Sequence, residues 1–442
     1  MSAEPHELRA AIGLPSAVML VIGGVVGVGI FVNPAVVARA LPSPGLALAA
    51  WVVGGVVALL GAFVYAELAG RIPSTGGEYQ YLRAAFGPLA AFLFGWTTLL
   101  VVHTGGLAAV SIVFADNVAV LVGGGLPRAP VVIGTLAVLA GINCLGVRSG
   151  NGTQAILGAL KVAAILAMVA AGLSLAPQAA PPVTATAFPG FKAFGAALIP
   201  VLFSYGGWQT ANYVAGEVKD AHRRLGVALL AGVLAVTALY LLVNIACLRA
   251  LGVAGLARTM TPASEMLGRV AGPFGSKLAA GAVALSALAF MSQGMLTGPR
   301  VVYAMARDGL FFRAAANLGS RSRAPAAAIV MVAIWTGVLA LSGSYESILS
   351  YVTAMNFLFF GLTAAGLFVL RSRDRDGGAF RTPLHPLTTG LFVAACVVVV
   401  LSAFWSFPID SLKGYAIMAA GVPLYLWWRR SDRSRLASAH HE

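Results

Sequence analysis

An all-α integral membrane protein is predicted by three features of the 442-residue chain. Hydrophobic side chains make up 59% of it, charged ones only 10%, and the mean hydropathy is +0.88, a balance that excludes an ordinary water-soluble globule. The apolar residues gather into runs that match the ~20 residues a helix needs to cross a bilayer. The basic residues gather in the short stretches between those runs. The expected architecture is twelve transmembrane helices in a single membrane domain.

In chain order the runs cover about 14–40, 45–69, 86–122, 129–147, 153–175, 193–216, 225–250, 274–305, 325–343, 346–370, 387–407 and 411–428. Residues 14–430 therefore form the membrane domain, with polar tails at 1–13 and 431–442. The opening MSAEPHELRA is polar and the run behind it has no A-x-A exit, so the first span is expected to stay in the membrane. Arg71, Arg83, Arg148, Lys219, Arg223, Arg224, Arg307, Arg313 and Arg371 lie in alternate loops with both tails, and the opposite loops are poorer in basic residues. The positive-inside rule then makes both termini cytoplasmic in a plasma (inner) membrane. The net charge of +14 is largely topological, and without a basic soluble module a nucleic-acid partner is excluded. Cys144, Cys247 and Cys396 fall on separate spans without C-x-x-C spacing, so neither a disulfide, a metal site nor a cofactor is expected. No paired Asp, Ser/His or metal-spaced His cluster supports an enzyme.

The first and sixth runs contain glycine-weakened stretches, GVVGVGIF at 24–31 and FSYGGW at 203–208. In hydrocarbon an unwound backbone is tolerated only where it lines a cavity or grips a ligand. Each stretch lies on the first span of a five-span half, about 14–176 and 190–371, with about 385–430 appended, which is the hydropathy pattern of an inverted repeat. Gly27 and Gly29 let a ligand approach the backbone, and the half-helix that follows offers N–H groups to a carboxylate. At Ser204, Tyr205, Gly206 and Gly207 the carbonyls of a helix end suit an ammonium group. Together the breaks suit a zwitterion; alternatively their glycines serve close helix packing. A dinucleotide loop is excluded because no strand precedes it.

Lys161 lies ~12 Å into the fifth run, at about 1.5 Å per residue, and should face the bundle and pair with carbonyls or hydroxyls unless the helix tilts enough for it to snorkel. Glu67, four residues before Arg71, reads as a structural helical pair. Glu217 reads either as a gate contact or as a solvated helix-end carboxylate. His103 and Asp116 are polar groups within or near the membrane, with no assigned role. Trp208 and Tyr205 flank the second break, and Gln209 and Asn212 are within reach of its cavity.

Five blocks carry a family resemblance in order along the chain: GGVVGVGIFVNP, YAELAGRIPSTGGEYQYLRAAFG, NCLGVRSGNGTQ, LFSYGGWQTANYVAGEVKD and GPRVVYAMARDGL. They resemble the amino acid, polyamine and organocation (APC) superfamily, above all its L-type and bacterial amino acid transporters, including serine/threonine exchangers. The resemblance implies the LeuT-type inverted-repeat fold and alternating access. It implies that the substrate carboxylate meets the amides of Gly27, Val28 and Gly29. It puts the amino group at the carbonyls of Ile22, Phe203, Ser204 and Gly206, with Phe203 as aromatic gate. It gives Lys161 the place of a sodium ion, linking span 1 to span 8, with Ser286 or Ser292 as partner. The chain departs from relatives in having valine at 25 and 28, where small polar residues are common. The expected activity is sodium-independent transport, by exchange, of small or medium neutral L-amino acids, with a proton- or sodium-coupled symporter or a non-transporting membrane sensor as alternatives. The expected partners are the amino acid and the lipid bilayer; the oligomeric state is not readable.

Overall fold

Prolines set many of the helix starts, because proline at the first helical position gives up an N–H that would be unpaired anyway. Pro44, Pro88, Pro262 and Pro299 sit there, and Pro15 is one residue further on. The structure is a computed structural model that describes residues 11–175, 189–320, 322–343, 345–374, 380–406 and 408–439. The expected tails before residue 11 and after 439, and the Pro-, Ala- and Thr-rich stretch at 176–188, lie outside the described residues.

The helices are α1 (Leu14–Val25), α2 (Gly29–Ala40), α3 (Pro44–Arg71), α4 (Glu78–Phe86), α5 (Pro88–Thr97), α6 (His103–Leu121), α7 (Arg128–Cys144) and α8 (Val147–Ser174). They continue with α9 (Phe191–Ser204), α10 (Ala221–Arg258), α11 (Pro262–Thr297), α12 (Pro299–Arg307), α13 (Ala326–Ser342), α14 (Tyr345–Arg373), α15 (Leu387–Ser406) and α16 (Pro408–Ala439). A π-turn over Thr98–Val102 joins α5 to α6, and a 3-10 segment, Trp208–Glu217, follows α9. Among the described residues the only extended pairing is a single parallel bridge between Ile12 and Val218.

Among the described residues seven helical stretches are long and apolar enough to cross a bilayer, and α1 with α2, bent by 43° at their break, makes an eighth. Apolar helices α7 and α13 are shorter. The chain is therefore a multi-pass membrane protein built of helices.

The two broken elements lie together at the centre. The half before the first break, α1, packs on the 3-10 segment after the second, and α2 packs on α9, so the broken elements cross head to tail. Helices α3, α8 and α11 wall them in, with α10 against α1, α2, α3 and α8. Trp51 meets Tyr240 edge to face and Tyr205 packs at a tilt against both beside the breaks, and Tyr65, Trp208, Phe360 and Phe392 form a second aromatic group behind them. Aromatic pairs of this geometry add about 0.5–1.5 kcal/mol each beyond the area they bury.

Candidate substrate site

At the first break the backbone stops being helical after Val25. The N–H of Val26 still donates to Ile22 O at 2.9 Å, and α2 begins at Gly29. Between them, the N–H groups of Gly27, Val28 and Gly29 donate to no protein acceptor among the described residues. Three donors at the start of α2 thus converge where the helix dipole is positive. At the second break Gly207 takes φ +105, a left-handed conformation that side chains disfavour, and a Cβ there would run into the carbonyl of Gly24. The two breaks therefore meet backbone to backbone, and only glycine allows it.

Neighbouring side chains pin the frayed ends. The Tyr240 hydroxyl sits 3.1 Å from Val25 O and 2.9 Å from Ser204 O, tying the end of α1 to the end of α9. The Asn33 amide donates to Pro200 O at 2.9 Å and to the Ser204 hydroxyl at 2.7 Å, tying α2 to α9. Lys161 is fully buried, and its ammonium donates to Gly23 O at 3.2 Å and to Val26 O. The Ser286 hydroxyl donates to Gly27 O at 2.9 Å. The bonds to Gly23, Val25, Val26, Gly27 and Ser204 take up carbonyls that the breaks leave without a helical N–H, and a buried carbonyl left unpaired costs about 1–3 kcal/mol.

A cleft whose empty space, mouth included, is about 850 Å³ opens between the breaks. Its backbone wall comes from Gly24 through Gly29 and from Phe203 through Gly207. Opposite, α6 supplies His103, Gly106 and Val110, α11 supplies Phe290 and Gln293, and α14 supplies Asn356 and Phe357. His103 approaches Gly294 O at 2.9 Å, and Gln293 donates to the Thr210 hydroxyl at 2.7 Å. No acidic or basic side chain other than His103 lines the cleft among the described residues. It is an uncharged pocket with amide donors on one side and carbonyls on the other.

The geometry brings Gly27, Val28, Gly29, Phe203, Ser204 and Gly206 together on this cleft, along with Gln209. It does not bring in Ile22, which is not on the cleft wall and whose side chain lines a separate apolar groove with Val162 and Leu166; its carbonyl accepts the Val26 N–H. Trp208 turns away into the aromatic group, and Tyr205 points its hydroxyl at Trp51 O, 3.1 Å distant. Asn212 is fully buried and its amide has no partner among the described residues. Of the two serines on α11, Ser286 holds Gly27, while the Ser292 hydroxyl is buried without a partner among the described residues. Neither serine bonds the Lys161 ammonium, which is held by the carbonyls of α1.

Glu217 lies away from the cleft at 0% exposure, paired with the equally buried Arg300 at 2.8 Å. A solvated helix-end carboxylate is thereby excluded. Asp116 forms a half-exposed pair with Arg128 at 2.9 Å. Glu67 does pair with Arg71 at 2.9 Å, and it also takes Arg371 at 2.6 Å and the Thr382 N–H at 2.7 Å. Gln293, Thr210 and Asn356 were not singled out from the sequence. The signal that would have found Gln293 and Asn356 is an amide inside an otherwise apolar run, which is rare unless it faces the interior of the bundle.

Residues 12–426 match the amino acid permease family. The chain is 31% identical over 379 residues to the b(0,+)-type amino acid transporter 1 of Oryctolagus cuniculus, covering 84% of this chain and 78% of that protein. It is 31% identical over 464 aligned positions to the large neutral amino acids transporter small subunit 2 of Homo sapiens, covering 96% of this chain and 82% of that protein. The Homo sapiens b(0,+)-type amino acid transporter 1 is 31% identical over 386 residues, 85% of this chain and 79% of that protein. With a match that runs almost the whole length of the chain, through both broken elements and the cleft between them, the protein belongs to the amino acid permease family and is a transporter rather than an enzyme.

Proposed function

We propose that the protein is a sodium-independent exchanger of small or medium neutral L-amino acids, working by alternating access around the cleft between the two breaks. The observation that carries this reading is the pairing of free amide donors at Gly27, Val28 and Gly29 with a lining that holds no acidic or basic side chain apart from His103. The amides suit the substrate carboxylate, and carbonyls at the end of α9 suit its ammonium group. Gly206 O has no protein partner among the described residues, and Phe203 O and Ser204 O each keep a lone pair beyond the one they use. A cationic substrate would leave its second positive charge without a counter-ion. The names of the relatives, a b(0,+)-type amino acid transporter and a large neutral amino acids transporter, support the substrate class.

Sodium independence rests on Lys161. Its ammonium occupies the gap beside the first break with two carbonyls as ligands, while Ser286 holds a third. That is where a monovalent cation would otherwise balance the exposed oxygens. The head-to-tail packing of the broken elements supports the twelve-helix, five-plus-five LeuT-type architecture, and the basic loops support cytoplasmic termini in a plasma membrane. Phe203, at the lip of the cleft, is the aromatic gate of this reading.

The test is uptake of labelled L-alanine, L-serine, L-leucine, L-glutamate and L-lysine into proteoliposomes in sodium-free buffer, with and without unlabelled amino acid inside. Saturable uptake of the neutral members that requires internal substrate is expected. Uptake that appears only when sodium is added would overturn the role given to Lys161, and saturable uptake into empty vesicles would replace exchange by uniport or proton coupling.

A further inference from the structure

One buried carboxyl has no part in the account above. Glu78, the first residue of α4, is 1% exposed and has no cationic partner among the described residues. Its two oxygens accept one tyrosine hydroxyl each, Tyr65 of α3 at 2.6 Å and Tyr213 of the 3-10 segment at 2.9 Å. Tyr213 lines the substrate cleft. A carboxyl on a short helix outside the membrane spans is thus bonded directly to a wall residue of the substrate site.

We propose that Glu78 is a proton-binding positioning residue, and that its protonation, passed through Tyr213 on the wall of the cleft, weakens substrate binding there. As an ionised carboxylate it can only accept, so both tyrosines donate inward to it. Protonated at Oε2, the carboxyl becomes the donor to Tyr213, and the Tyr213 hydroxyl proton has to turn away from Glu78, which resets the ring's anchor at the cleft. No covalent step is involved; one proton moves on or off the carboxyl.

The surroundings allow that proton to come and go near neutral pH. Burial favours the neutral acid and outweighs the two tyrosine hydrogen bonds, which favour the anion, raising the carboxyl to about 7. From α3 only Tyr65 faces it, from the 3-10 segment only Tyr213, and from α4 itself Tyr81, which packs edge-on against Tyr65. On the far side of α4, Arg83 and Tyr79 are spent on Asp308. Tyr303 and Arg307 of α12 stack on each other. Helix α5 has no titratable side chain. From α14, Arg371 is held by Glu67, and Arg373 donates to the carbonyls of Ala84 and Ala85 at the other end of α4.

The experiment measures L-alanine exchange in proteoliposomes at equal internal and external pH from 5.5 to 8.5, with KM and kcat separated. Between pH 6 and 8 the protonated fraction of such a group falls from about 90% to about 10%, so KM is expected to fall several-fold with little change in kcat. Glu78→Gln, whose amide donates to Tyr213 as the protonated acid does, is expected to hold the low-pH KM at every pH, and Tyr213→Phe to flatten the profile as well. A flat wild-type profile overturns the proposal, as does a profile that survives Glu78→Gln. Its disappearance in His103→Gln alone would assign the titration to the cleft histidine and overturn it too.

Infrared difference spectra supply a readout that needs neither transport nor an identified substrate. A carboxylic acid band that grows in as pH falls through 7, and that shifts in Tyr213→Phe, is expected; carboxyl titration confined to pH 4–5 overturns the proposal. Because this readout is independent of transport, its failure is distinguishable from failure of the exchange reading.

Discussion

Replacing Arg300 by methionine tests what a buried ion pair beside the second break contributes to the fold. Arg300 and Glu217 are both at 0% exposure, with Nε to Oε1 at 2.8 Å and Nη2 to Oε2 at 3.3 Å. At an effective dielectric of 20 and this separation their attraction is about 6 kcal/mol, and removing one member of such a buried pair costs about 3–5 kcal/mol because the other charge stays behind unpaired. The loss reaches further than the pair. The Glu217 carbonyl accepts the N–H groups of Ala11 and Ile12, both at 2.9 Å, and Ile12 O accepts Lys219 N–H at 2.9 Å, which holds the segment before α1 against the segment after the second break.

In Arg300→Met the carboxylate must draw water or swing outward, and the Ile12–Val218 bridge loosens with it. A lower melting temperature in detergent and faster thiol labelling of a cysteine at position 12, in a background without the three native cysteines, are expected. The double variant Glu217→Leu/Arg300→Met removes both charges and should recover most of the stability. A single variant as stable as the wild type, or a double variant no better than the single, would refute the reasoning.

Other outcomes follow from contacts at the site. Gly24→Ala places a Cβ 2.6 Å from Gly207 O and 2.9 Å from the Thr210 hydroxyl, so the breaks are forced apart, at a cost of about 1–3 kcal/mol in melting experiments together with loss of exchange. Gly106→Ala adds a methyl with nothing within 4 Å, on the wall of the cleft; stability should be unchanged while KM for L-leucine rises more than for L-alanine. Tyr240→Phe deprives Val25 O and Ser204 O of one shared donor, for an expected loss of about 1–3 kcal/mol in thermal unfolding and weaker substrate binding. For Glu78, the folded-state value lies above the ordinary 4.5, so the proton stabilises the fold; stability should fall as pH rises from 4.5 through about 7, and Glu78→Gln should lack that fall in a melting series.

The helices and both breaks were legible because the evidence for them is local. Apolar run length fixes a span, and glycine clusters fix where it frays. Backbone positions of the cleft from Gly27 to Gly29 and from Phe203 to Gly206 follow from the same local signal. Side-chain roles were less legible, since they depend on what distant segments bring. Glu67 and Arg71 could be paired from their spacing, but Arg371 and the Thr382 amide come from far along the chain. Ile22 is placed at the ligand only by the resemblance, and in the fold its side chain lines a groove apart from the cleft. Trp208 sits beside the break in sequence, yet a 3-10 turn aims it at Tyr65 and Phe360. Glu217 resembled any charge at a helix end, and only the fold shows Arg300 waiting in the same buried space.

The ammonium of Lys161 is joined to the chain by its own side chain, and this has a kinetic meaning. A free ion must arrive from one compartment and leave into another, so its occupancy rises and falls with its concentration on each side. A tethered charge has no concentration and no gradient. In the exchange reading proposed above, the gap beside the first break stays filled whatever salt surrounds the membrane, the work of concentrating one amino acid comes from the downhill passage of another, and the protein trades cargoes rather than accumulating them.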